Sequence, residues 1–147
     1  MLRALLARYA DRDPRALHFV LGPHGKPALL TEASDPARNL RFSLSHSGDM
    51  ALVAVSSERE VGVDIERADG RRTEEFLHAW VVREAVGKCR GTGLAKTEDS
   101  PADGPWRTEV DAGRATVAAV AVEGGRCELR HFEWPDYRPT IAPVSAR

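Results

Sequence analysis

Two carboxylates stand two residues apart in Val61-Gly62-Val63-Asp64-Ile65-Glu66, a run otherwise built of glycine and β-branched apolar residues. That composition favours a strand, and strand positions two apart share a face, so Asp64 and Glu66 project side by side while Val63 and Ile65 turn to the opposite face and the core. An oxygen-rich pair on a rigid support suits a hard cation. Mg²⁺ takes only one or two carboxylates from a protein and completes its shell with water and phosphate oxygens. An isolated Asp-x-Glu is more often a strand end whose acids sit in water, so the metal reading requires phosphate-binding groups elsewhere in the chain.

Three stretches offer them. Gly22-Pro23-His24-Gly25-Lys26-Pro27 is a turn stiff enough to hold the Lys26 ammonium in one place, although a solvated surface lysine is the commoner outcome of such a loop. Ser45-His46-Ser47-Gly48 closes an alternating run from Leu40, where a hydroxyl, an imidazole and free backbone donors can meet an anion. Read as a nucleophile with its base, Ser45 and His46 are poorly placed, because neighbours in sequence rarely face each other and no G-x-S-x-G elbow surrounds them. The third stretch is helical: Phe76, Trp80, Glu84 and Lys88 recur every four residues and form one stripe, with Leu77, Val81 and Ala85 on the stripe beside it. Glu84 and Lys88 on a largely apolar face should either pair with each other, as an i,i+4 helix stabiliser, or serve a site.

The elements that must position these groups follow from periodicity. Leu2, Leu5, Leu6 and Tyr9 predict an amphipathic first helix, broken by Asp11-Arg12-Asp13-Pro14, and Leu17 to Leu21 predicts a short strand. Strands are expected over 40–45, 50–55 and 61–66, joined as an antiparallel meander. Thr73 is a fitting N-cap, Glu74 and Glu75 suit a helix first turn, and Gly91-Thr92-Gly93 stops the helix after Arg90. Residues 95–109 read as a loop, residues 114–122 and 127–134 as a closing hairpin, and the segment from Pro135 as an irregular tail. The expected fold is α+β, a mainly antiparallel sheet packed against one long helix, in a single domain over 1–134 followed by a tail over 135–147.

Composition narrows the function classes. The 147 residues carry 21 Lys and Arg against 22 Asp and Glu, a net charge of −1, which lacks the basic excess of a nucleic-acid binder. No apolar run approaches the ~18 residues of a membrane span. Cys89 and Cys127 fall in no metal-ligand spacing and read as reduced thiols of a cytoplasmic protein.

Taken in order, Gly25-Lys26-Pro27, Phe42-Ser43-Leu44-Ser45-His46-Ser47, Val61-Gly62-Val63-Asp64-Ile65-Glu66 and Trp80-Val81-Val82-Arg83-Glu84-Ala85 with Lys88 and Gly91-Thr92-Gly93-Leu94 resemble a 4′-phosphopantetheinyl transferase of the surfactin-synthetase-associated type. The resemblance covers about residues 1–94 and, loosely, the end of the chain. It implies a transferase that moves the phosphopantetheine arm of coenzyme A onto a serine of an acyl or peptidyl carrier protein, with Mg²⁺. It further implies Asp64, Glu66 and Glu84 as metal ligands, Lys26, Ser45 and His46 on the nucleotide and phosphates of coenzyme A, and Lys88 beside the pyrophosphate. Glu84 and Lys88 are then the catalytic pair. Arg83 stands where the family's signature helix has a lysine, keeping the charge of a coenzyme A contact but as a planar fork. The interval from Glu66 to Glu84 is shorter than the family's, and the first pseudo-symmetric half is incomplete, so the resemblance also implies a shortened member, with either a homo-oligomer covering the site or a non-catalytic binder of coenzyme A or a carrier protein as the alternative.

Overall fold

A computed structural model describes residues 1–93 and 104–134. Helix α1 (Leu2–Ala10) buries Leu6 and Ala7 and ends on Asp11 in the left-handed region. A hairpin of β1 (Phe19–Leu21) and β2 (Pro27–Leu29) follows, then a second hairpin of β3 (Arg41–Ser47) and β4 (Met50–Ser56), turned through Gly48 and Asp49. Strand β5 (Val61–Arg67) leads into helix α2 (Glu74–Arg90), and β6 (Trp106–Glu109) and β7 (Thr116–Val122) complete a three-stranded antiparallel sheet in the order β5-β7-β6. The fold is α+β with antiparallel sheets against one long helix, as expected. The tail from Pro135 and most of the expected 95–109 loop lie outside the described residues.

Helix α2 starts and stops where the residues direct. The Thr73 hydroxyl accepts the Phe76 amide at 3.2 Å, Glu74 and Glu75 complement the positive end of the helix dipole, and Gly91 terminates it at φ 67°, a conformation glycine adopts without a Cβ clash. Leu77, Val81, Ala85 and Cys89 are fully buried against the sheet. The floor beneath them is made of small side chains. Register pairs Gly62 with Ala121, Asp64 with Ala119 and Glu66 with Val117, so these six residues share the face that α2 covers. The opposite face carries Val61, Val63, Val120 and Val122, packed with Leu52, Ala54 and Trp106 in a second core. A third core joins α1 to Phe42 and Leu17.

Two expected pairings change. The meander stops at β4, which ladders only with β3; the partner of β5 is β7, more than fifty residues on. Arg59 bridges the new pairing: its guanidinium binds the carbonyls of Glu123 and Gly125 while the Glu123 amide donates to Glu60 O at 2.9 Å, fastening the entry of β5 to the exit of β7. The closing hairpin is also different: β7 turns back on β6, inside the stretch expected to be loop, and residues 127–134 form no strand. The apolar face expected around Trp80 divides as well. Phe76 is 46% exposed and stacks on the partly buried Trp80, with Arg72 lying over both rings.

His78 ties α2 to β6. Its Nδ1 lies 2.6 Å from Glu109 Oε1, and the hydrogen bond to Glu109, followed by the charges of Glu109 and Glu74, holds the imidazole pKa above its ordinary 6.5. A raised pKa means that the folded state binds the proton more tightly, so this contribution is complete below pH 6.5 and is lost as pH rises through the raised value. Wild type should therefore melt above His78→Gln at acidic pH, by a margin that closes under mildly alkaline conditions. A constant margin across melts at several pH values would contradict the assignment.

Among the described residues no helix is long and apolar enough to cross a membrane. Both cysteines are free, and burial pushes the Cys89 thiol up to about 11.

Candidate active site

The close approach of α2 to β5 brings together groups far apart in sequence. Asp64 is 4% exposed and points to the helix. Its Oδ1 accepts from Lys88 Nζ at 2.7 Å and from Ser45 Oγ at 2.8 Å, and Lys88 also donates to Ser45 Oγ at 3.0 Å, closing a ring of three groups from β3, β5 and α2. Lys88 thus pairs with Asp64 across the helix–sheet interface rather than with Glu84 along its own helix. Glu66, next on the same face of β5, accepts from Ser47 Oγ at 3.2 Å.

The carboxylate oxygens left over carry the chemistry. Asp64 Oδ2 and Glu84 Oε1 are buried and have no hydrogen-bond partner. Native interiors rarely leave such atoms unsatisfied, because each costs desolvation without return. Burial first, then the charge of Asp64, pushes the Glu84 carboxyl above its ordinary pKa of 4.5; Lys88 and Arg83 pull it down, and Glu66 adds to the rise. Three acids therefore feel one another around Lys88. Among the described residues no three His, Cys, Asp or Glu side chains converge tightly enough to hold a metal ion by themselves. The two orphaned oxygens nevertheless fit a hard cation that takes two carboxylates and draws its other oxygens from a phosphorylated ligand.

The other residues singled out in the sequence lie apart from this cluster. Lys26 Nζ is surrounded by Glu60 Oε2 at 2.6 Å and the carbonyls of Cys89 at 3.0 Å and Val61 at 3.1 Å, pinning the last turn of α2 to the start of β5. It lines a cavity of about 560 Å³ with His24, Arg38, Arg41, Glu60 and Arg90. His46 is exposed and, one residue on from Ser45, belongs to the other face of β3. Arg83 is exposed on α2. Ser47 and Ser43 were not among the sequence candidates; their signal was the two-residue period they share with Ser45.

Fold and site together describe an α+β protein with a part-buried cluster of three acids, one of them paired with a lysine, a set suited to a hard cation and, through it, to phosphate oxygens. No protein-family model matches the chain. Individual relatives do. The protein slr0495 of Synechocystis sp., provisionally named a 4′-phosphopantetheinyl transferase, is 32% identical over 120 residues, spanning 64% of this chain and 48% of its own. The 4′-phosphopantetheinyl transferase HetI of Nostoc sp. is 28% identical over 125 residues, 67% of this chain and 52% of its own. The 4′-phosphopantetheinyl transferase AcpT of Escherichia coli K12 is 33% identical over 115 residues, 60% of this chain and 55% of its own. The homologues of this chain are thus 4′-phosphopantetheinyl transferases, and the chain spans about half the length of the curated relatives it matches.

Proposed function

We propose that this chain transfers 4′-phosphopantetheine from coenzyme A to a serine of an acyl or peptidyl carrier protein in the cytoplasm, as a transferase of the surfactin-synthetase-associated type. The observation that carries the reading is the pair of buried, partnerless carboxylate oxygens on Asp64 and Glu84 beside the Lys88 ammonium. A fold maintains such a cost most readily where a ligand relieves it.

In the reaction the carrier serine oxygen bonds to the β-phosphorus of coenzyme A, and the bond from that phosphorus to the bridging oxygen breaks, releasing 3′,5′-ADP. Glu84, whose proton affinity is raised by burial and by Asp64, accepts the hydroxyl proton. Lys88, held by Asp64 and Ser45, offers positive charge to the departing phosphate. Mg²⁺, when bound, would supply Lewis-acid stabilisation of the pyrophosphate, and Asp64 and Glu84, with Glu66 beside them, are the residues that would hold it. Lys26, His46 and Arg83 are assigned to the nucleotide and phosphate end of coenzyme A on motif order alone.

A second reading, a binder of coenzyme A or of a carrier protein that performs no transfer, is favoured by one observation: the Lys88 ammonium is already engaged by Asp64 and Ser45. Incubation with coenzyme A, Mg²⁺ and a panel of apo carrier proteins, followed by intact-mass measurement of the carriers, separates the two. A carrier that gains the phosphopantetheine mass supports transfer. Saturable coenzyme A binding with every carrier unmodified supports the binder.

A further inference from the structure

Strand β3 presents Ser43, Ser45 and Ser47 to one side and Phe42, Leu44 and His46 to the other. It ladders only with β4, and β5 ladders only with β7, yet β3 and β5 lie beside each other and run in the same direction. Hydroxyls bridge the seam in place of a main-chain ladder. Ser43 Oγ accepts the Val63 amide at 3.1 Å, Ser45 Oγ donates to Asp64 Oδ1 at 2.8 Å, and Ser47 Oγ donates to Glu66 Oε2 at 3.2 Å while accepting the Arg67 amide at 3.1 Å.

The three serines are not equivalent. A hydroxyl has one proton to give. At Ser45 and Ser47 that proton is committed to a carboxylate, and a donor on the far side, the Lys88 ammonium or the Arg67 amide, fixes the direction in which it points. Ser43 meets only backbone on β5. Because Ser45 and Lys88 both bind Oδ1 of Asp64, the oxygen left without a partner is always Oδ2.

We propose that Ser45 and Ser47 are positioning residues: their hydroxyls lock the Asp64 and Glu66 carboxylates so that the second oxygen of each is presented to a divalent cation, whereas Ser43 only joins the strands. The proposal rests on the metal reading of the site given above. It assigns Ser45 a role on the protein's own carboxylate, distinct from contact with coenzyme A, and brings in Ser47, to which no role had been attached.

The test is Mn²⁺ titration of the full chain, with and without coenzyme A, followed by electron paramagnetic resonance, on wild type and on Ser43→Ala, Ser45→Ala, Ser47→Ala and Ser47→Thr, with thermal melts of each. Loss of an outer partner of a ligating carboxylate weakens metal binding by roughly 10- to 100-fold. Ser47→Ala and Ser45→Ala should show that loss, Ser47→Thr should restore affinity by restoring the hydroxyl, and Ser43→Ala should melt lower with Mn²⁺ affinity unchanged. Ser47 is only part-buried, so its variants remain readable if Ser45→Ala fails to fold. Wild-type affinity in Ser47→Ala, or an equal loss in Ser43→Ala, overturns the positioning role while leaving the metal reading in place. Absence of Mn²⁺ binding to wild type in both conditions overturns the metal reading and the proposal with it.

Discussion

Glu84→Gln should lower transfer to a carrier protein by at least ~10²-fold and leave the metal-free protein no less stable than wild type. The two halves of that expectation come from the same facts. Glu84 Oε1 is buried without a partner, and burial and the charge of Asp64 raise the carboxyl pKa. A carboxyl with a raised folded pKa binds its proton more tightly in the folded state, so its contribution to stability is full below the ordinary value of 4.5 and is lost as pH rises through the raised one. Above that raised pKa the ionised Glu84 carboxylate therefore opposes folding. Glutamine has the same shape, carries no charge and cannot accept the proton. In EDTA at pH 7 the variant should melt at or above wild type, and the difference should shrink as pH falls toward 4.5. Intact-mass assays of the carrier and melts of the same preparations measure both. Near-normal transfer would remove Glu84 from the chemistry, and a lower melt at pH 7 would show that its carboxylate is satisfied in the fold after all.

What could be read from the sequence was local. Helix α2 was legible to the residue because its signals are local: the Thr73 cap, the acidic first turn and Gly91 each act within one turn of the helix end. The shared face of Asp64 and Glu66 was legible because strand alternation needs no knowledge of a partner. The partner of β5 was not. The ladder joins Val61–Arg67 to strand residues about fifty to sixty positions on, with Arg59 bridging to the carbonyls of Glu123 and Gly125, and no local period encodes that. The strand β6 was hidden for a related reason: four residues at the edge of a Pro- and Gly-rich stretch acquire strand form only because β7 supplies the ladder.

The candidate site divides along the same line. Glu84 and Lys88 were legible as neighbours on one helical stripe, with pairing to each other or service in a site as the two alternatives. The decision needed β5, because Lys88 finds a stronger partner in the buried Asp64 than in an acid on its own helix. Lys26 shows the reverse. Its turn was read as stiff, but stiffness does not say toward what the ammonium points, and here it donates to the Cys89 carbonyl in the last turn of α2. Ser45 was read as a contact to coenzyme A and Ser43 and Ser47 were given no role, since alternation along a strand does not say what faces the hydroxyls. Here a second strand lies where the water would be.

Gly62 is where strand and helix meet closely, and among the glycines of the described residues Gly62→Ala should be the most damaging alanine substitution. A Cβ at Gly62 would lie 2.0 Å from the carbonyl oxygen of Ala85, 2.3 Å from the Cys89 nitrogen and 2.9 Å from the Cys89 Cα. All three are backbone atoms of α2, so no rotamer change relieves the overlap and the helix must lift away. The φ of Gly62 is not in the positive range, so the effect is steric rather than a matter of conformational freedom. Overpacking a core by a methylene typically costs ~1–3 kcal/mol, and an overlap this deep against main chain should exceed about 3 kcal/mol. Function should fail with the fold, because Ala85 and Cys89 immediately follow Glu84 and Lys88: lifting these residues draws Lys88 off Asp64 and carries Glu84 away from it. Any fraction of Gly62→Ala that folds should have lost the Lys88–Asp64 pair and transfer together. Gly125→Ala is the control, since a Cβ there meets nothing within 4 Å and the glycine has no positive φ; it should stay within ~0.5 kcal/mol of wild type. Denaturant titrations of the two alanine variants give the comparison directly. Equal midpoints would mean that α2 does not rest on β5 at Gly62, and the geometry that brings Glu84 and Lys88 to Asp64 would fall with that contact.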